Sequence, residues 1–111
     1  MMIEAVVTGQ GLPLNKTQNS PERLYLLIKK TEVHGFPIKD GEQMPITIVI
    51  GGIEYSGELS RRANLPSIFL KSKLWGQDGI VHQQTNLLLN NGLSKNQRVQ
   101  LSVNGNRVAL P

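Results

Sequence analysis

The sequence predicts a mainly β protein: a small barrel or pseudobarrel of about seven strands with one or two short helices. Two segments, PITIVIGGIEYSGELS and RVQLSVNGNRVALP, alternate apolar and polar residues around Gly51-Gly52 and Asn104-Gly105, dipeptides suited to two-residue hairpin turns. Helical stretches are few, so the sheet has to cover its own apolar face by curling or closing. The 111 residues suffice for a single domain, read over residues 1–111, whose core needs no disulfide staple.

Taken in chain order, Met2 to Thr8 reads as a strand and Gly9 to Asn19 as a long loop with a turn at Gly9 and Gly11. Ser20-Pro21-Glu22 imitates a helix start, yet LYLLIKKTEV also runs as a strand, and Leu24 to Lys30 is assigned as one. HGFPIKDGEQMP is a turn-rich connection. A type I′ turn at Gly51-Gly52 places Ile50 opposite Ile53, Ile48 opposite Tyr55 and Ile46 opposite Gly57. Leu59 continues that core face, while Thr47, Glu54, Ser56 and Glu58 point away.

Pro66 permits an extended start to SIFLKSKLW, a strand that sets Ile68, Leu70 and Leu74 against Phe69, Lys71, Lys73 and Trp75. Burial under a neighbouring element and exposure as a binding surface are both open for Phe69 and Trp75. Thr85 to Asn91 reads as a short helix, with Thr85 at the N-cap and Gly92 at C′. A turn at Asn104-Gly105 then sets Leu101 against Val108 and Val99 against Leu110, leaving Arg98, Gln100, Ser102 and Arg107 on the opposite face.

Several chemistries lack their residues. With no cysteine there is no disulfide framework, thiolate metal site or cysteine nucleophile. The two histidines, His34 and His82, match no usual ligand spacing, and no metal or other cofactor is expected. Ser60, Ser67 and Ser72 lack a nucleophile elbow, and Glu54 and Glu58 fall on the solvent side of a hairpin. TGQGLP contains Gly-x-Gly without the remainder of a phosphate cradle. The expectation is a protein that is not an enzyme. The amino terminus has no signal-peptide pattern and no apolar run approaches the roughly 20 residues that span a bilayer, so a soluble cytoplasmic protein without a membrane partner is expected.

Charge points to a polyanion. Residues 1–60 carry five basic and seven acidic side chains, whereas residues 61–111 carry seven basic and one acidic, Asp78. Such asymmetry suits nucleic acid. Phosphates are met by Arg and Lys, and base edges by Arg, Lys, Asn and Gln. Arg61, Arg62, Lys71, Lys73 and Arg98 are the candidate phosphate contacts, Asn64, Gln77, Gln83 and Gln84 the candidate base readers, with His82 beside them. Double-stranded DNA is the favoured partner. Two alternatives stand beside it: a protein-interaction or assembly module with Phe69 and Trp75 as an apolar hot spot, and an RNA-binding barrel that stacks bases on those rings.

The succession ITIVIGGIEYSGEL, PSIFLKSKL, a short helix ending in NNGL, and RVQLSVNGNRVALP resembles the DNA-binding pseudobarrel of plant transcription factors and of restriction-endonuclease target-recognition domains. The likeness covers somewhat over half of the chain, which is shorter than most such domains. It implies a recognition module of a restriction or transcription-regulatory system whose two arms grip the major groove. Arg61, Arg62 and Asn64 would lie in one arm, and Gln77, His82, Gln83 and Gln84 in the other. The segment NLLLNNGLSKNQRVQLSVNGNRVAL is also similar to the carboxyl half of bacterial swapped-hairpin transition-state regulators, with Asn96-Gln97 where that family has Gly-Asp.

Overall fold

The computed structural model describes residues 2–9, 23–29, 38–39, 41–61 and 67–111. Expectations that fall on Gly11, on Ser20-Pro21-Glu22, on Lys30, on residues 34–37 and 40 of the HGFPIKDGEQMP connection and on Arg62, Asn64 and Pro66 lie outside the described residues.

The strands are β1 (Met2–Gly9), β2 (Leu24–Ile28), β3 (Gln43–Ile50), β4 (Ile53–Arg61), β5 (Ile68–Leu70), β6 (Lys73–Gly76), β7 (Val81–Gln83), β8 (Arg98–Asn104) and β9 (Arg107–Ala109), with one helix, α1 (Gln84–Asn90), between β7 and β8. Seven strands close into a barrel in the order β3-β9-β8-β1-β2-β5-β4, sealed by β3–β4 pairing, as the expected small barrel requires. The remaining two form a hairpin, β6–β7, that continues from β4 and leaves β7 as an edge strand. Most pairings are antiparallel, but β9 runs parallel to β3, with Val108 beside Ile48.

Alternation builds the core. Ile3, Ala5 and Val7 on β1, Leu24, Leu26 and Ile28 on β2, Ile46, Ile48 and Ile50 on β3, and Val99, Leu101 and Val103 on β8 all point inward and are buried. A barrel of this size is filled by its own side chains. Gly57 fits that interior because a Cβ there would lie 2.5 Å from Cδ2 of the fully buried Leu74. The first hairpin has the expected register, Ile50 with Ile53, Ile48 with Tyr55 and Ile46 with Gly57. Both turn glycines have positive φ, 60° and 79°. Ile53 departs from the expected core face: at the barrel rim it is 57% exposed.

The second hairpin turns one residue later than expected. Val103 faces Val108 and Asn104 faces Arg107, so Gly105 and Asn106 form the turn. Only Gly105 of the two has positive φ, as the first central position of a type II′ turn requires. The shift preserves the faces, and the Thr47 N–H donates to the Asn106 carbonyl at 2.9 Å, seating the turn on β3. Strand bounds differ too: Gly9 belongs to β1, opposite Leu24, and β2 ends at Ile28.

SIFLKSKLW is two strands rather than one. Leu59 pairs with Leu70 and Ser56 with Trp75, three steps along β4 against five along its partner. Two extra residues at Lys71 and Ser72 therefore bulge out, and an even number leaves the inward set intact. Helix α1 lies across this mouth of the barrel, with Leu87 and Leu88 turned into the core. Its end is a Schellman closure on Gly92: Gly92 N–H donates to the Leu89 carbonyl and Leu93 N–H to the Leu88 carbonyl, both at 3.0 Å. Among the described residues no helix is long and apolar enough to cross a membrane.

Candidate nucleic-acid interface

The candidate residues divide into some that hold the barrel together and some that do not. Gln84 is fully buried, so it is removed from the candidate base readers. Its Oε1 accepts the Leu26 N–H at 2.8 Å, and its Nε2 donates to the carbonyls of Leu70 at 3.0 Å and Lys71 at 3.1 Å. Its backbone N–H donates to the Ser72 carbonyl at 2.8 Å. The bulge takes those carbonyls out of the ladder, and β2 extends past the end of β5, so one amide replaces the missing strand. Thr85 does the same one step along. Its Oγ1 accepts the Leu24 N–H at 3.0 Å, and the helix starts on Gln83 with no side-chain cap, instead of the expected Thr85 cap.

Arg61 also leaves the open surface. Its position on β4 follows the inward Tyr55, Gly57 and Leu59, and its guanidinium donates to the carbonyl of the buried Ile38 at 3.0 Å. The main chain of Arg61 is held by Gly41 and Glu42. This geometry belongs to the end of the barrel opposite α1 and holds the main chain at Ile38. Arg98 lies on β8, away from the hairpin, 3.9 Å from a Glu4 oxygen in an exposed pair. His82 is half-buried and faces Tyr55 edge-on, with ring centres 5.4 Å apart.

What stays together is the outer face of β6–β7. Lys73 stands opposite Gln83 and Trp75 opposite Val81, so all four share one face. Lys73 and Gln83 are exposed, Trp75 is 41% and Val81 46% exposed. Trp75 is thus a surface ring. Phe69 is half-buried on the outward face of β5, edge-on to Tyr25 at 6.2 Å. Neither Lys71 nor Lys73 has an acid within ion-pairing distance among the described residues. Of the nearest acids along the chain and across the sheet, two have partners of their own and the third adjoins the bulge. Asp78 Oδ1 accepts the Ile80 N–H at the hairpin tip, Glu54 is bonded to Arg107 at 2.9 Å, and Glu58 stands on β4 beside the bulge. Gln77 is exposed in the tip itself.

The Trp75 signal was present in the alternation of SIFLKSKLW, whereas the interior role of Gln84 depends on contacts 58 residues away in sequence. Among the described residues no group of three or more His, Cys, Asp or Glu side chains gathers as metal ligands do. No family model, no curated protein and no solved structure matches the chain.

Proposed function

We propose that the protein is a non-catalytic nucleic-acid-binding barrel that takes single-stranded DNA or RNA on the outer face of β6–β7. Trp75 is the stacking platform, Lys73 and Lys71 meet phosphates, and Gln83 and Gln77 reach base edges. The observation that carries the reading is the exposed Trp75 beside Lys73 and Gln83 on a hairpin outside the closed barrel. An aromatic face offers every base a stacking surface, and a cation two residues along the same strand lies about 7 Å away, on the scale of one nucleotide.

The double-stranded DNA favoured by charge and by the pseudobarrel resemblance has less support. That reading asks for Arg61 and Gln84 in two arms, and both side chains serve the barrel. The test is a titration with single-stranded DNA, single-stranded RNA and duplex DNA at two salt concentrations. Single strands are expected to bind more tightly than duplex, with affinity falling at a log–log slope of about −0.7 per phosphate contacted. Lys73→Ala should flatten that slope. Failure of all three to bind at low salt would overturn the proposal and leave the Trp75–Val81 face to a protein partner.

A further inference from the structure

The chain contains two Asn-Gly pairs, Asn91-Gly92 and Asn104-Gly105, and the fold treats them oppositely. Asn-Gly is the sequence most open to deamidation, because glycine has no side chain to hinder attack by its own backbone nitrogen on the asparagine amide. At Asn91 that chemistry is blocked on both sides. The Gly92 N–H is committed to the Leu89 carbonyl, and Asn91 Nδ2 donates to the Leu87 carbonyl at 2.8 Å. Asn91 also packs against the first hairpin turn, where its Oδ1 is 2.5 Å from the place a Gly51 Cβ would occupy.

At Asn104 neither restraint is present among the described residues. Asn104 and Gly105 are exposed, and among the described residues neither the Asn104 side-chain amide nor the Gly105 N–H makes a hydrogen bond. We propose that Asn104 is a deamidation site and that its isoaspartate product loosens the parallel seam between β9 and β3 in the barrel wall. The Gly105 nitrogen attacks Asn104 Cγ, forming the N–Cγ bond as its own proton is lost, and the Cγ–Nδ2 bond breaks to release ammonia. Water then opens the succinimide at either carbonyl, yielding aspartate or isoaspartate. No oxidant or reductant takes part.

The consequence follows from position. Asn104 pairs with Arg107, the first residue of β9. The three residues of β9 form both the ladder to β8 and the parallel seam to β3. Isoaspartate adds a methylene to the main chain at the pair that sets this register, next to the Asn106 carbonyl that accepts from Thr47. Ordinary aspartate leaves the main chain unchanged and adds a carboxylate opposite Arg107.

The test ages the full-length protein at mildly alkaline pH and follows each Asn by peptide mapping with an isoaspartate-specific readout. Reaction at Asn91 requires local opening of the helix end. Asn104 is therefore expected to convert at least about tenfold faster, a ratio worth about 1.4 kcal/mol. Equal rates, or faster conversion at Asn91, would overturn the site. In the second arm, aged protein should melt at a lower temperature than fresh protein, Asn104→Ser should keep its midpoint through ageing, and Asn104→Asp should melt like fresh wild type. An unchanged midpoint in fully converted protein would overturn the effect on the seam. So would an Asn104→Asp midpoint as low as that of aged protein, because charge would then account for the loss.

Discussion

The β1–β8–β9 wall and the β6–β7 hairpin both carry cations on their outer faces, yet those charges are used differently. On the wall Arg98 lies near Glu4 and Arg107 is bonded to Glu54, so the outward cations have acidic neighbours within the sheet. On the hairpin Lys73 makes no ion pair among the described residues, and Trp75 and Val81 stand beside it in solvent. The wall's residues explain themselves as barrel surface. Barrel closure makes no use of the hairpin's outer face, which is why that face, rather than the net charge, carries the functional reading.

The contrast sharpens at the junction between the two regions. Gln84→Ala should have the largest effect, because it leaves the Leu26 N–H and the Leu70 and Lys71 carbonyls without their partner inside the protein. A loss of at least about 3 kcal/mol is expected in denaturant unfolding. Gly57→Ala follows, at about 1–3 kcal/mol, since its Cβ would overlap the Leu74 side chain in a filled core. Trp75→Ala should cost the fold about 1–2 kcal/mol, because 41% of the residue is already in water. The same change should remove about 1–3 kcal/mol of single-strand binding, a split between stability and binding that neither core variant can show. Arg107→Ala should be the mildest, at about 0.5 kcal/mol and diminishing with salt, because both partners of its ion pair are partly exposed.

These regions were also unequally legible in the sequence. Gly51-Gly52 allows one two-residue turn whose central residues both take positive φ, and the hairpin register followed from it. In the second hairpin Asn104-Gly105 and Gly105-Asn106 are both able to make a turn, and the choice between them leaves every side chain on the same face. Hydrophobic pattern cannot separate such alternatives. The parallel seam with β3 separates them, and that contact is long-range. Lys71 and Ser72 hid a bulge for the same reason, since two extra residues do not disturb alternation.

Site residues show the same division. The outward side of Lys73 and Trp75 could be read from period-two alternation alone. Gln84 could not be separated from Gln83 by composition: one is buried in the barrel mouth and its neighbour is in solvent. The resemblance implies an arm for Arg61 and the sequence a loop, but Arg61 ends β4 and its inward parity turns its side chain towards Ile38.

Trp75 is the sole tryptophan, so intrinsic fluorescence reports on the proposed platform without ambiguity. Titrating the protein with single-stranded DNA at low salt should give saturable quenching of that emission, reversed by added salt and much weaker with duplex DNA. Emission that stays constant while a single strand is shown to bind by another method would contradict the assignment of the β6–β7 face as the binding surface.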